Sequence, residues 1–196
     1  MLSLSASYAE FVMAMERVEQ RLRRVTEALD AAGVPYAVVG GNAVAAWIAQ
    51  VDPAATRTTK DVDLLVRRGD LERITATLVA LGLRREDLRS LVLFVDPAEP
   101  SRRSGVHLVW AGEKVRPSYG HAAPDVTEAI RGPAAFAVLD LPALLRMKLT
   151  SFRDVDRVHV ADLLGIGLVI DKVRATLPGD LLARLDEVAR TLEAEE

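Results

Sequence analysis

The sequence predicts an α/β (α+β) fold, a core of roughly 110 to 120 residues followed by a helical C-terminal part. Three observations lead there. A single apolar stripe of helical period runs through the N-terminal segment, from Phe11 to Leu29. Short apolar runs of strand length then alternate with helical stretches as far as Gly112. From Leu141 onward the text is helical, with stops near Gly165 to Gly167 and at Pro178 and Gly179.

The first helix rests on Phe11, Met15, Val18, Leu22, Val25 and Leu29, which recur at alternating spacings of four and three. Ser7 with Glu10 reads as its capping box, and Gly33 followed by Pro35 as its stop. "VPYAVVGG" is a short apolar strand ending in two glycines, and "NAVAAWIAQ" a helix beginning at Asn42. Residues 51 to 59 form a loop around Pro53, and a strand runs from Asp61 to Arg67. Asp70 caps a helix carrying Leu71, Ile74, Leu78 and Leu81, closed by Gly82. "SLVLFV" and "GVHLVWAG" read as strands separated by the turn-rich "DPAEPSRRSG". "GEKVRPSYGHAAPDV" is a long loop, and "FAVLD" a last strand. The expected organisation is residues 1–120 as the core with its N-terminal helix, and 121–196 as a mainly helical region packed on it.

Composition sets limits. The chain has 196 residues, half of them hydrophobic, enough to bury a sizeable core. With 25 basic and 28 acidic residues the formal net charge is -3, so a generally basic nucleic-acid-binding surface is excluded, though not a local basic cleft. The absence of cysteine excludes disulfides, thiolate nucleophiles and thiolate metal sites. The N-terminus soon becomes charged and helical, so no signal peptide is expected, and no apolar run approaches the roughly 20 residues of a membrane span. A cytoplasmic protein is the expectation.

Chemistry concentrates in "RTTKDVDLLVR", residues 57 to 67. Alternate strand residues share a face, so the Asp61 and Asp63 carboxylates project side by side, roughly 7 Å apart by strand rise. Two like charges at the entrance of an apolar strand repel and resist desolvation. They suit Mg²⁺, or Mn²⁺, which takes one or two carboxylates and completes its shell with water and phosphate oxygens. Upstream, the Gly40–Gly41 turn lets backbone approach a ligand, and the helix after it aims free N–H groups at the same place. A phosphate cradle facing a metal-binding acid pair describes phosphoryl or nucleotidyl transfer. Taken singly, the glycines also fit a simple tight turn and the acids the wet face of an edge strand.

"VVGGNAVAAW" followed by "TTKDVDLLV" resembles the signature of the nucleotidyltransferase superfamily, the DNA-polymerase-β-like fold. The spacing between glycines and acids, with the later "LLRMKLTSFRDVDRVHVADLL", is similar to the AbiEii-like, minimal nucleotidyltransferase branch, which includes toxins of toxin–antitoxin pairs. The likeness covers roughly residues 33 to 165. It implies a mixed sheet flanked by helices, with Gly40 and Gly41 holding a triphosphate. Asn42, where many members have serine, would cap the helix or touch a phosphate oxygen. Asp61 and Asp63 would bind the divalent metal, Lys148 would contact the phosphates, and Asp162 matches an acidic position of the same C-terminal motif. The family's third acid comes from a later strand, and here His107 of "GVHLVWAGE" stands in its place. Neutral imidazole can ligate a metal or accept a proton, although carboxylate oxygen suits Mg²⁺ better.

The function so implied is metal-dependent transfer of a nucleoside monophosphate from a nucleoside triphosphate to a hydroxyl, with an RNA 3′ end such as that of tRNA, or a protein, as acceptor. In the toxin reading an antitoxin protein covers the cleft. The alternative is a non-catalytic nucleotide-binding or regulatory protein that kept the fold and lost the third acid. DNA binding through the C-terminal helices is disfavoured by the acidic balance. His107, His121 and His159 are too scattered to suggest zinc by spacing. Arg84, Arg85, Arg89, Arg102 and Arg103 flank one strand region, as solvated side chains or as an RNA-attracting patch. Trp47 and Trp110 are expected in the core.

Overall fold

The computed structural model describes residues 4–131 and 135–194. Its first helix, α1 (Leu4–Ala31), buries Val18, Leu22, Val25 and Leu29 along one stripe. Met15, at the upper end of that stripe, is exposed, and the Phe11 side chain lies outside the described residues. The helix starts at Leu4, so Ser7 sits within it and is not its cap. Gly33, at φ +63°, ends the turn that follows.

The next elements are β1 (Tyr36–Val39), α2 (Gly40–Ile48), β2 (Val62–Val66), α3 (Leu71–Ala80), β3 (Arg84–Leu88), β4 (Leu91–Val95) and β5 (Val106–Trp110). Then come β6 (Ala129–Arg131), β7 (Ala137–Leu139), α4 (Leu141–Ser151), α5 (Asp154–Gly165), α6 (Asp171–Arg174) and α7 (Gly179–Glu193). The seven strands form one sheet in the order β3-β4-β5-β2-β1-β7-β6. It is mixed: β2 runs parallel to β5 and β1 parallel to β7, while the other pairs are antiparallel. Residues beyond 121 thus supply β6 and β7 to this sheet as well as the C-terminal helices.

Two edge strands, β3 and β6, lack the apolar run that marks the others in the sequence. β3 reads "RREDL", a charged segment with little apolar content, and it holds its place by antiparallel pairing with the buried β4. Its charges are matched locally, Arg84 with Glu86 at 2.9 Å and Arg85 with Asp87 at 2.7 Å, while Arg102 reaches Glu86 at 2.7 Å. Ion pairing, not an open basic patch, is the environment of these three arginines. A charged outer strand also discourages pairing with further chains. β6 is a three-residue edge on the other side.

Each face of the sheet carries a core. On one, α1 and α3 pack Leu22, Leu29, Ile74 and Leu78 against Val38, Val62, Leu64 and Val106. On the other, α2, α4, α5 and α7 bring Ile48, Leu144, Leu145, Leu163 and Leu185 onto Ala37, Leu65 and Val138. The strand alternation that puts Leu65 in this second core puts Asp63 on the same face, one step beyond the helical cover. Trp47 and Trp110 are half-buried, not enclosed: Trp47 Nε1 donates to the Leu139 carbonyl at 3.0 Å, and Arg68 lies 4.2 Å over the Trp110 ring. No described helix is long and apolar enough to cross a membrane.

Candidate active site

The acid pair stands at the start of β2, beside the end of β1. Val62 between them is fully buried, which turns Asp61 and Asp63 to the opposite face. Two neighbours orient Asp61: the Thr59 hydroxyl donates to its Oδ1 at 2.7 Å, and Asn42 Nδ2 donates to its backbone carbonyl at 2.7 Å. Asn42 therefore ties the first turn of α2 to the root of β2. Gly40 adopts φ +69° and opens α2, two residues ahead of the expected Asn42 start. Gly41 packs against Thr59, with room for little more than a hydrogen.

His107 reaches this pair from the neighbouring strand. Asp63 and His107 are register partners in the parallel β2–β5 pairing, and buried Val106 and Leu108 turn His107 to the face of the acids. Its Nδ1 lies 3.4 Å from Asp63 Oδ1 and 3.6 Å from Asp61 Oδ2. Its Nε2 lies 2.7 Å from the Arg102 carbonyl, an acceptor, so Nε2 carries a proton. The hydrogen bond with Asp63 raises the imidazole pKa against the opposing effect of burial, with the Arg102 carbonyl and both carboxylate charges adding to the rise. One ligand atom from each of Asp61, Asp63 and His107 falls within 4.8 Å of the others. A ring whose far N–H is fixed on a backbone carbonyl presents its other nitrogen as a ligand, a common support for metal-binding histidines. The donor set fits a divalent cation.

Facing them across the cleft is a second charged group on the α4–α5 corner. Lys148 is buried, and its Nζ donates to Asp156 Oδ1 at 3.1 Å and to His159 Nδ1 at 2.9 Å. Asp156 is 1% exposed and also accepts from the Ser151 hydroxyl and Arg153 Nε, both at 2.7 Å. Burial alone would raise the Asp156 pKa, but Arg153, Lys148 and Ser151 outweigh it and hold it at about 2. Burial also lowers the Lys148 pKa, opposed by the charges of Asp156 and Asp63. Burial and then the Lys148 charge push His159 down to about 4, so its ring is neutral and accepts. The corner turns at Phe152, the one described non-glycine residue in the left-handed region (φ 47°), with Arg184 Nη1 binding the Leu149 carbonyl at 2.6 Å. That turn brings Ser151 and Arg153 to the rim beside Lys148.

Between the two groups lies a cleft of about 400 Å³, within the range of small-molecule sites. Gly40, Asp61, Asp63, His107 and Lys148 all line it. The long loop after β5 closes one side with Arg116, Tyr119 and His121. Asp162 does not line the cleft. It lies further along α5 and takes a two-point pair from Arg57, Nε to Oδ2 at 2.6 Å and Nη2 to Oδ1 at 3.1 Å, which ties the loop before β2 to α5. The acid of that helix that does line the cleft is Asp156, with Arg153 beside it, neither of which the motif resemblance marks. A signal was present: Asp156 continues the spacing of Val160 and Leu163 and so falls on the buried face of α5.

Known proteins extend the comparison. The family model described as "Uncharacterised nucleotidyltransferase" matches residues 2–121. No curated protein matches the chain. Among solved structures, an antigenic nucleotidyltransferase-like protein from Paracoccidioides brasiliensis aligns with a TM-score of 0.59 at 16% identity, over 90% of this chain and 88% of that one. The crystal structure of ANT(2")-Ia in complex with adenylyl-2"-tobramycin aligns with a TM-score of 0.53 at 19% identity, over 88% of this chain and 98% of that one. At such identities these two show a shared fold. The family match spans more than half of the chain, including the glycine turn, both aspartates and His107, and the chain belongs to the nucleotidyltransferase family.

Proposed function

We propose that the chain transfers a nucleoside monophosphate from a nucleoside triphosphate to a hydroxyl acceptor, using a divalent cation held by Asp61 and Asp63 with His107. The convergence of three ligand atoms within 4.8 Å, opposite a buried lysine, carries this reading. Mg²⁺ or Mn²⁺, when bound, would neutralise phosphate charge and favour ionisation of the attacking hydroxyl. Lys148 and Arg153 offer positive charge to the polyphosphate from the opposite wall. The acceptor oxygen forms a bond to the α-phosphorus as the bond to the pyrophosphate oxygen breaks, and the hydroxyl proton leaves to a base. A bound cation would oppose the imidazolium that Asp63 favours, and His107, its Nε2–H fixed on Arg102, would then present Nδ1 to the reaction side, either as ligand or as that base. Gly40 leaves the backbone bare where the triphosphate approaches.

The acceptor class is a further part of the proposal. ANT(2")-Ia was crystallised in complex with adenylyl-2"-tobramycin. Here the cleft's cations Arg116, Lys148 and Arg153 are matched in number by Asp61, Asp63 and Asp156, so charge selects no acceptor, and an RNA 3′ end or a protein hydroxyl is proposed from the motif resemblance. The AbiEii-like toxin reading, with an antitoxin over the cleft, belongs to the same proposal and rests on motif spacing. The test is incubation with α-labelled and γ-labelled triphosphates, Mg²⁺ or Mn²⁺, and total RNA and protein. Transfer of α-label alone, lost in Asp63→Asn, is the expected result.

His107 in place of a third carboxylate favours one rival, a nucleotide-binding protein without turnover. That reading wins if wild type binds triphosphate and transfers nothing while His107→Asp alone is active.

A further inference from the structure

On the sheet face opposite the cleft, α1 and the chain segments flanking β3 and β4 enclose a second cavity of about 220 Å³. Arg17, Arg21 and Arg24 follow one another on α1 at spacings of four and three, which places them on one helix face, and all three line it. Val25, Leu81 and Leu83 supply apolar walls, and Asp96 and Glu99, from the turn after β4, are its acids.

The charges are unevenly matched. Glu99 serves two arginines at long range, Arg21 Nη2 at 3.4 Å and Arg17 Nε at 3.6 Å. The two-point pair of Arg68 with Glu113 closes to 2.8 and 2.7 Å by comparison. Asp96 already accepts from the Ala98 backbone N–H, and Arg24 donates to the Leu81 carbonyl at 3.2 Å. The Arg21 side chain is only 10% exposed, yet its Nη1 is buried and reaches no acceptor among the described residues. A guanidinium cannot shed its proton to relieve this, and a buried donor without an acceptor is costly.

What answers such a site is an oxyanion with several acceptor oxygens and more than one negative charge. We infer that the cavity binds a phosphate group, with Arg21 as buried anchor and Arg17 and Arg24 at the rim. Glu99 is the internal carboxylate that phosphate displaces from Arg21. Planar guanidinium forks match phosphate oxygens in pairs, and three of them concentrate that recognition. The site lies away from Asp61, Asp63 and Lys148 and does not depend on the activity proposed for them.

Calorimetric titration with inorganic phosphate tests it, with a short single-stranded oligoribonucleotide lacking terminal phosphates as a second arm. Phosphate is expected to bind wild type, and the part of the signal that belongs to this cavity is the part the arginine variants remove. Arg21→Gln should weaken binding by about tenfold or more, and Glu99→Gln should tighten it several-fold by removing the competing carboxylate. If the oligoribonucleotide binds with the same variant pattern, the natural ligand is a phosphodiester; if inorganic phosphate alone binds, it is a free anion. Should Arg21→Gln fail to fold, the double variant Arg17→Gln, Arg24→Gln carries the same expectation from more exposed positions. Phosphate binding that is unchanged in the arginine variants overturns the inference.

Discussion

A side chain at position 40 and the Asp63 carboxylate exclude one another: a Cβ built on Gly40 would stand 2.1 Å from Asp63 Oδ2. The glycine is therefore part of the acid's geometry as well as of the turn. Gly40→Ala must push Asp63 out of place and must also hold alanine at φ +69°, which costs about 1–2 kcal/mol by itself. Gly82 is the control, since it has φ +87° and open space around it. Both substitutions should lower stability in denaturant titrations by a similar backbone amount. Only Gly40→Ala should lose metal-dependent triphosphate binding, and equal binding by the two variants would separate Gly40 from the site.

Lys148 and Asp156 invite opposite substitutions. Asp156→Ala leaves Lys148 buried without its carboxylate and should cost about 3–5 kcal/mol in urea unfolding. Lys148→Met keeps the bulk, removes the buried charge, and leaves Asp156 held by Arg153 and Ser151, so stability should change little. Its effect belongs in binding, with triphosphate weakened more than monophosphate because the lysine's proposed partner is the polyphosphate. Equal small losses for both ligands would make Lys148 a structural residue.

His159 predicts a pH dependence of stability. Its pKa falls from 6.5 to about 4 on folding, so between those values the unfolded chain binds a proton that the folded chain does not. The His159 contribution to stability must then decrease as pH falls from about 6.5 toward 4. The raised pKa of His107 acts in the opposite sense, so the His159 contribution is read from the difference between wild type and a His159 variant. Asp156 acts lower, its contribution being present above 3.8 and lost as pH falls toward 2. His159→Gln, whose amide oxygen can still accept from Lys148, should flatten the upper part of the profile. Unfolding free energies at pH 7 and pH 5 for both proteins check this, and an unchanged slope would count against the neutral ring.

Which parts of this site are legible in sequence follows from how far each feature depends on distant chain. Asp61, Asp63 and His107 obey the two-residue strand period, which turns each away from its apolar neighbours, but the parallel pairing that sets Asp63 beside His107 belongs to the fold. The glycine turn reads similarly, although the positive φ of Gly40 starts α2 earlier than the Asn42 cap suggests. Asp162 and Asp156 show the limit. Six residues along a helix amount to a rotation of about 120° from the starting face, so only one of them can share the cleft with Lys148. Which one does is decided by the Phe152 corner, a backbone conformation no local pattern announces. β3 escapes notice for a different reason: its charges satisfy one another on an edge, and its strand character comes from β4. β6 is too short to show a period.

Asp61, Asp63 and His107 are proposed to form a metal-dependent triphosphate site. Calorimetric titration of nucleoside triphosphate, with Mg²⁺ and with chelator, into wild type, Asp61→Ala and Asp63→Ala tests it most directly. Mg²⁺-dependent binding in wild type and its loss in both variants are expected, with the fold intact or slightly more stable once carboxylate repulsion is relieved. Triphosphate affinity unchanged in both variants, or unchanged on removing Mg²⁺ from wild type, would contradict it.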